Sequence, residues 1–352
     1  MMRGGGFLLV VVLAAGAVGP VAHADVARAA PPATDAAFTQ VLPSSSLVLR
    51  AAADASGVYA YVLDGEAGLR SLVRRRADGA VTTLANAPRI EQLALDDERV
   101  YWVGEDGVQA VAKAGGPVES LAPRDWTLIR RVTSPAQWSL AVAGDDVFFS
   151  IDDGIGRVAK LGGEAELLAD VPSGRGATVV GVDDDEVWWI ELVPAGDEPQ
   201  TTDVLATPRG GGASRRVLTG LTGLQAIVVD ADGVYWLGGT EGRGAIHGAS
   251  KTTGDSVTLA VDVPVYYDRV LEVAGASLFW LDYPHGLHGP MRVRTMPKGG
   301  GSAPETIAEP FPVANKLLLD DGHVYWAQDG ARSIATPVAR AVLRREGSRG
   351  DR

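Results

Sequence analysis

Two histidines and an aspartate stand close together in the stretch DYPHGLHGP, residues 282–290. Imidazole and carboxylate are donor types that suit zinc and other transition metals. Asp282, His285 and His288 supply only three ligands, however, and their spacing is that of a loop, so a solvated turn is the alternative reading. No metal or other cofactor is assigned. Imidazole also changes charge between about pH 5 and 8, which would make binding at this loop pH-dependent. Aromatic side chains that can stack on sugars or grip peptide side chains lie in other irregular stretches. Trp126 falls in 123–138 with Asp125 and Trp138, Tyr266 and Tyr267 fall in 261–268, Tyr283 follows Asp282, and Phe311 falls in 309–315. For Trp126, Trp138 and Phe311 the alternative is a plug over the core. The candidate ligand-binding set is Trp126, Tyr266, Tyr267, Asp282, Tyr283, His285 and His288. No catalytic residue is named. The chain contains no Gly-x-Ser-x-Gly elbow, phosphate loop, Rossmann glycine triplet or His-Glu-x-x-His.

The elements that must hold these loops repeat along the chain. An apolar-aromatic pair follows an Asp- or Gly-rich turn seven times, as GVYAY, RVYWV, DVFFS, EVWWI, GVYWL, SLFWL and HVYWA. The second aromatic slot holds Ala60, Trp102, Phe149, Trp189, Trp236, Trp280 and Trp326, at steps of 42, 47, 40, 47, 44 and 46 residues. Before each pair runs an alternating apolar segment such as LALDD or LLLDD, the pattern of a strand. After it comes a variable connection, then a strand ending in a cation and glycines (KAGG, KLGG, RGGG, KTTG, KGGG), then a short strand such as VESLA or SVTLA. Aspartates such as Asp183-Asp184-Asp185 and Asp230-Ala231-Asp232 read as turns, since the closing Glu of a calcium hand is missing.

Four short strands per unit at this period describe a propeller blade. The expected fold is all-β, a seven-bladed β-propeller of four-stranded antiparallel blades. Its ring is closed by an N-terminal strand at 37–42 pairing with 333–340. The expected domains are a signal peptide at 1–24, a linker at 25–36, the propeller at 37–343 and a disordered tail at 344–352. The signal reading rests on Arg3, an apolar run from Phe7 to Val18 too short to span a bilayer, and the small-x-small site Ala22-His23-Ala24.

The VYW strand with the K-x-G-G turn resembles YWTD-type and TolB-like propeller repeats, over roughly residues 37–340, and most of all exported bacterial propellers carrying both signals. VYWVG, VYWLG and VYWAQ lack the Thr-Asp of YWTD, whereas LFWLD keeps the Asp. The resemblance implies the fold and a protein- or ligand-binding role outside the cytoplasm. It implies no catalytic residue, because the shared residues are structural.

Composition narrows the function classes. With no cysteine there is no disulfide, thiol nucleophile or lipid-modified Cys. A formal net charge of −12 argues against nucleic acid as a partner. The expectation is a non-catalytic exported binding module, monomeric, without a membrane span in the mature chain, periplasmic or extracellular. Its partner would be a protein, a peptide or a cell-envelope glycan. The rival is a lyase or hydrolase acting on a polysaccharide or small molecule at the channel mouth. Alternating strand direction places the long connections, and so the candidate residues, on one face of the disk, where loops free to vary usually carry binding. The opposite face carries the Asp turns and Lys113, Lys160, Lys251 and Lys298, four of the five lysines, from which a ring of Lys–Asp pairs is expected.

Overall fold

The structure is a computed structural model. It describes residues 38–40, 46–64, 68–87, 89–123, 139–151, 154–172, 175–194, 200–240, 242–264, 271–283, 291–311, 314–320, 323–328 and 342–345. These residues contain strands and turns and no helix.

Six blades follow one another along the chain, each an antiparallel sheet of four consecutive strands. Blade 1 contains β2 (Ser46–Asp54), β3 (Gly57–Asp64), β4 (Arg70–Arg75) and β5 (Val81–Asn86), after the short β1 (Phe38–Gln40). Blade 2 contains β6 (Ile90–Leu95), β7 (Arg99–Gly104), β8 (Gly107–Ala112) and β9 (Glu119–Pro123). Blade 3 contains β10 (Leu140–Ala143), β11 (Asp146–Ile151), β12 (Gly154–Ala159) and β13 (Glu166–Asp170). Blade 4 contains β14 (Gly176–Val182), β15 (Glu186–Val193), β16 (Thr201–Pro208) and β17 (Arg215–Thr222). Blade 5 contains β18 (Leu224–Val229), β19 (Gly233–Thr240), β20 (Arg243–Ser250) and β21 (Ser256–Val263). Blade 6 contains β22 (Leu271–Ala274), β23 (Ser277–Asp282), β24 (Met291–Pro297) and β25 (Glu305–Phe311). The first strands touch in the order β2, β6, β10, β14, β18, β22, as expected for strands around one axis.

The expectation of a seven-bladed propeller is corrected here: six consecutive four-stranded blades follow the repeat. The remaining sheet is a composite of both chain ends, in the order β1-β28-β27-β26. It contains β26 (Ala314–Asp320), β27 (His323–Gln328) and β28 (Val342–Arg345). Its first strand β26 lies against β22 on one side and β2 on the other. The strand that pairs with Phe38–Gln40 is Val342–Arg345, not 333–340, and it runs into the stretch read as tail. The segment 333–340 contains Pro337, which cannot donate a ladder hydrogen bond. VLRR carries no such break. Residues 333–340 themselves lie outside the described residues.

The core lies between neighbouring blades. Tyr59, Tyr101, Phe148 and Trp188, in the first aromatic slot, and Trp102, Phe149, Trp189 and Trp280, in the second, are fully buried. One apolar cluster joins Val187, Trp189 and Val204 of blade 4 to Ile227, Val234 and Trp236 of blade 5. A sheet that must bury both faces cannot do so alone, and stacking supplies the second partner.

Candidate functional site

The two faces of the disk use charge differently. On the face of the short turns, an aspartate at the end of the first strand caps its own turn and is also gripped by the next blade. Asp96 Oδ1 accepts from the N–H groups of Glu98 and Arg99. Lys160 of blade 3 reaches its Oδ2 at 2.6 Å. The Tyr101 hydroxyl donates to the same oxygen at 2.8 Å, and the Lys160 ammonium lies over the Tyr101 ring. The lysine–aspartate pairing recurs with Asp54 and Lys113, with Asp183 and Lys251, and with Asp230 and Lys298. Trp188 Nε1 takes the place of the tyrosine hydroxyl at Asp183. A second set of bonds holds the lysine's own carbonyl. Arg74, Arg99 and Arg215 donate to the carbonyls of Lys113, Lys160 and Lys251 respectively, each across a blade boundary. The glycine after the cation supplies the left-handed turn, with φ of +88° at Gly115 and +79° at Gly162.

Electrostatics follow from this packing. Burial raises the cost of ionising Asp96 and Asp183, but donation from Lys160 and Lys251 and from their own turns outweighs it, so both carboxyls titrate below the ordinary aspartate value. Burial, and then the bond to Asp96, raises Tyr101. Tyr235 is pushed up to about 12 by burial and by Asp230. The boundary between blades 3 and 4 is built differently. Ala143 and Phe148 stand where Asp and Tyr or Trp stand elsewhere, and Arg209 replaces the lysine, donating to the Ala143 carbonyl at 2.9 Å and covering the Phe148 ring. With no carboxylate to meet, the cation there caps backbone.

On the face of the long connections, three buried carboxylates each hold two arginines. Glu91, at the start of β6, takes Arg50 and Arg89. Glu191, near the end of β15, takes Arg175 at 2.9 Å and Arg216 at 2.8 Å, and Arg216 also bridges to Asp203. Asp203 lies directly opposite Glu191 in the ladder, so the arginine removes what would otherwise be like-charge repulsion. Asp282, the last residue of β23, takes Arg292 at 2.7 Å and Arg294 at 3.3 Å. Glu191 and Asp282 occupy one slot of the repeat, two residues after the second aromatic. In blade 2 this slot is Gly104, where a Cβ would stand 2.0 Å from the Arg89 carbonyl oxygen. The carboxylates are sealed while the arginines reach solvent. Glu191 is 1% exposed and Arg216 43%, and Asp282 is 0% exposed and Arg292 26%.

Of the seven candidate ligand-binding residues, two fall where the structure describes them, Asp282 and Tyr283. Asp282 is on the expected face but is an internal counter-ion, not an exposed ligand. Tyr283 beside it is buried, at 3% exposure. Trp126, Tyr266, Tyr267, His285 and His288 lie outside the described residues, as does Trp138. Among the described residues no three His, Cys, Asp or Glu side chains are grouped so as to hold a metal. The arginine–carboxylate stations were not anticipated. Their signal was available in the shared slot of Glu191 and Asp282, and in Arg292-x-Arg294, two cations spaced to share one face of a strand.

Similarity to known proteins lies in the fold. No family model matches the chain, and no curated protein matches its sequence. Among solved structures, oligogalacturonate lyase from Vibrio parahaemolyticus matches with a TM-score of 0.62 at 9% identity, over 87% of this chain and 92% of that one. A puromycin-hydrolysing peptidase from Mycobacterium tuberculosis matches with a TM-score of 0.64 at 15% identity, over 88% of this chain and 52% of that one, so the present chain spans about half of it. The β-propeller domain of the trilobed protease from Pyrococcus furiosus, which has an open velcro topology, matches with a TM-score of 0.62 at 9% identity, over 86% and 96%. At these identities the likeness shows the propeller fold alone.

Proposed function

We propose that this chain is a non-catalytic propeller binding module that engages its ligand on the face of the long connections. The observation behind this is the contrast between the faces. On the short-turn face Lys113, Lys160, Arg209, Lys251 and Lys298 of the glycine turns are each engaged by the preceding blade. On the other face, buried carboxylates hold arginines whose side chains are 26–47% exposed. A guanidinium fixed from below and open above needs little ordering when it binds, which favours affinity. The partner is a protein, a peptide or a cell-envelope glycan. The place of action is the periplasm or cell exterior, on the strength of the export signal read at residues 1–24.

A second reading is favoured by one specific observation. Oligogalacturonate lyase is matched over 92% of its own length, so a propeller of this extent is an enzyme in that protein. In this reading the chain would be a lyase or hydrolase working at the channel mouth.

The test immobilises the chain lacking residues 1–24 and compares what it retains from envelope extract with what two variants retain. Arg175→Gln with Arg216→Gln alters the proposed binding face, and Leu161→Ser alters an exposed site on the opposite face. Retention lost only in the arginine variant supports the binding module. Equal retention by all three proteins removes it. Turnover of a polysaccharide by the unmodified chain would favour the second reading.

A further inference from the structure

Two arginines of this propeller are held in one manner, which a third shares in part. Arg157 lays the edge formed by Nε and Nη2 against Glu166, at 3.0 and 2.5 Å. Its remaining nitrogen, Nη1, donates to the Arg209 carbonyl of the next blade at 2.5 Å. Arg215 does the same, with Nε and Nη2 on Glu186 and Nη1 on the Lys251 carbonyl at 2.7 Å. In both, a carboxylate fixes one edge and a backbone carbonyl takes the other end.

Arg292 is held in the same manner by its first edge. Its Nε and Nη2 both donate to Asp282 Oδ2, at 2.8 and 2.7 Å. Among the described residues, however, nothing accepts from its Nη1, and the side chain is 26% exposed. The guanidinium has a second, end-on edge formed by Nη1 and Nη2. With the side-on edge fixed, that second edge is directed away from Asp282. A planar acceptor with two oxygens would meet it with two parallel hydrogen bonds.

The charges point the same way. Arg294 also donates to Asp282 Oδ2, at 3.3 Å, and to the Pro304 carbonyl at 2.5 Å. Two guanidiniums therefore face one carboxylate, which leaves one net positive charge on the group. Asp282 is fully buried and its Oδ1 has no hydrogen-bond partner among the described residues, so the carboxylate is a fixed internal anchor and not a mobile surface group.

We propose that Arg292 is an anion-binding residue that takes a carboxylate of the ligand on its Nη1–Nη2 edge, with Asp282 and Arg294 as its positioning residues. A carboxylate fits better than a phosphate, being planar, two-oxygen and singly charged, as the group's net charge requires. This inference rests on the reading of the long-connection face as the binding face, and it names the chemistry recognised there.

The experiment follows the side-chain nitrogen resonances of the arginines in the chain lacking residues 1–24 during titration. The probes are sodium acetate, sodium glucuronate, glucose and inorganic phosphate. Acetate and glucuronate should shift the Arg292 resonances saturably, and glucose should not. Glucuronate binding stronger than acetate would identify a sugar acid as the source of the carboxylate, and equal binding any small carboxylate. Arg292→Gln should abolish the effect. Arg292→Lys, which keeps the charge but loses the two-pronged edge, should weaken it about tenfold. Circular dichroism and the melting temperature check that each variant is folded. Should Arg292→Gln not fold, the resonances of the unsubstituted chain decide alone, since they report the site directly. A saturable shift that survives Arg292→Gln, phosphate binding tighter than carboxylate, or no saturable shift at all would overturn the inference. A chain that retains an envelope partner yet ignores carboxylates would sink this inference while leaving the binding module intact.

Discussion

At the scale of single residues, the repeat states its packing openly and hides its polar contacts. Trp236 was identifiable as a core residue from its place in the aromatic slot, and it is 6% exposed within the cluster shared by blades 4 and 5. Trp236→Ala should therefore destabilise the chain by about 3–5 kcal/mol in urea unfolding, and a neutral substitution would remove the inter-blade packing argument. Its partner was not legible. The residue opposite the second aromatic is Gln109 in blade 2, His247 in blade 5 and Arg294 in blade 6, with no common type to mark it. His247 stacks on Trp236 at 5.0 Å between ring centroids. Burial holds its imidazole below the ordinary histidine value. The sign follows directly. The unfolded chain takes up this proton at higher pH than the folded one, so stability is lost as pH falls from about 6.5 towards the depressed value and is unaffected above that range. His247→Gln should flatten the pH dependence of the melting temperature between about pH 5 and 7, and an unchanged slope would show that this histidine does not couple to folding.

At the scale of the element, the informative unit is the pair of turns that meet across a blade boundary. The sequence places the lysines in the glycine turns and the aspartates on the same face, and from that a ring of Lys–Asp pairs could be expected. It does not say which blade each lysine serves, because strand pairing is local and blade stacking is not. Each of these four lysines in fact reaches back to the preceding blade, and this couples neighbouring sheets. The exception at Ala143, Phe148 and Arg209 supports the point, since all three members of the clasp change together there. Lys251→Met leaves Asp183 without its ammonium partner in a half-buried place and should cost about 1–3 kcal/mol in chemical denaturation. Asp183→Asn adds a pH test. The folded carboxyl is depressed, so its contribution is fully present above the ordinary aspartate range near 4 and is lost as pH falls through the folded value. The asparagine variant should be less stable at pH 7 and should lose less on acidification between about pH 5 and 2. Parallel acid profiles for the two proteins would mean that the clasp does not contribute to folding.

At the scale of the whole molecule, periodicity carried the architecture a long way, because the spacing of strands and turns is set by local chemistry that every copy repeats. It failed where the chain departs from its own grammar. The last unit has no glycine turn after its aromatic strand, so the register of its third strand could not be read from the other copies, and the expected tail at 344–352 takes in the second half of Val342–Arg345. The consequence is that the two ends of the chain share a sheet through three ladder pairs, Phe38 with Arg345, Thr39 with Arg344 and Gln40 with Leu343. If this sheet joins the ends of the ring, loss of β1 should be felt by the whole propeller and not by its terminus alone. Deleting residues 25–42 would remove those pairs, at roughly 1 kcal/mol each, and leave β28 as an exposed edge. The truncated chain should unfold about 2–4 kcal/mol more easily in a single transition, and it should self-associate on size-exclusion chromatography as the bare edge finds another chain. Hydrogen exchange would then show lowered protection in blades 1 and 6, which flank the composite sheet, as well as in β28. Protection lost in β28 alone, with an unchanged unfolding midpoint, would mean that β1 is an appendage and that the six sequential blades hold together without it.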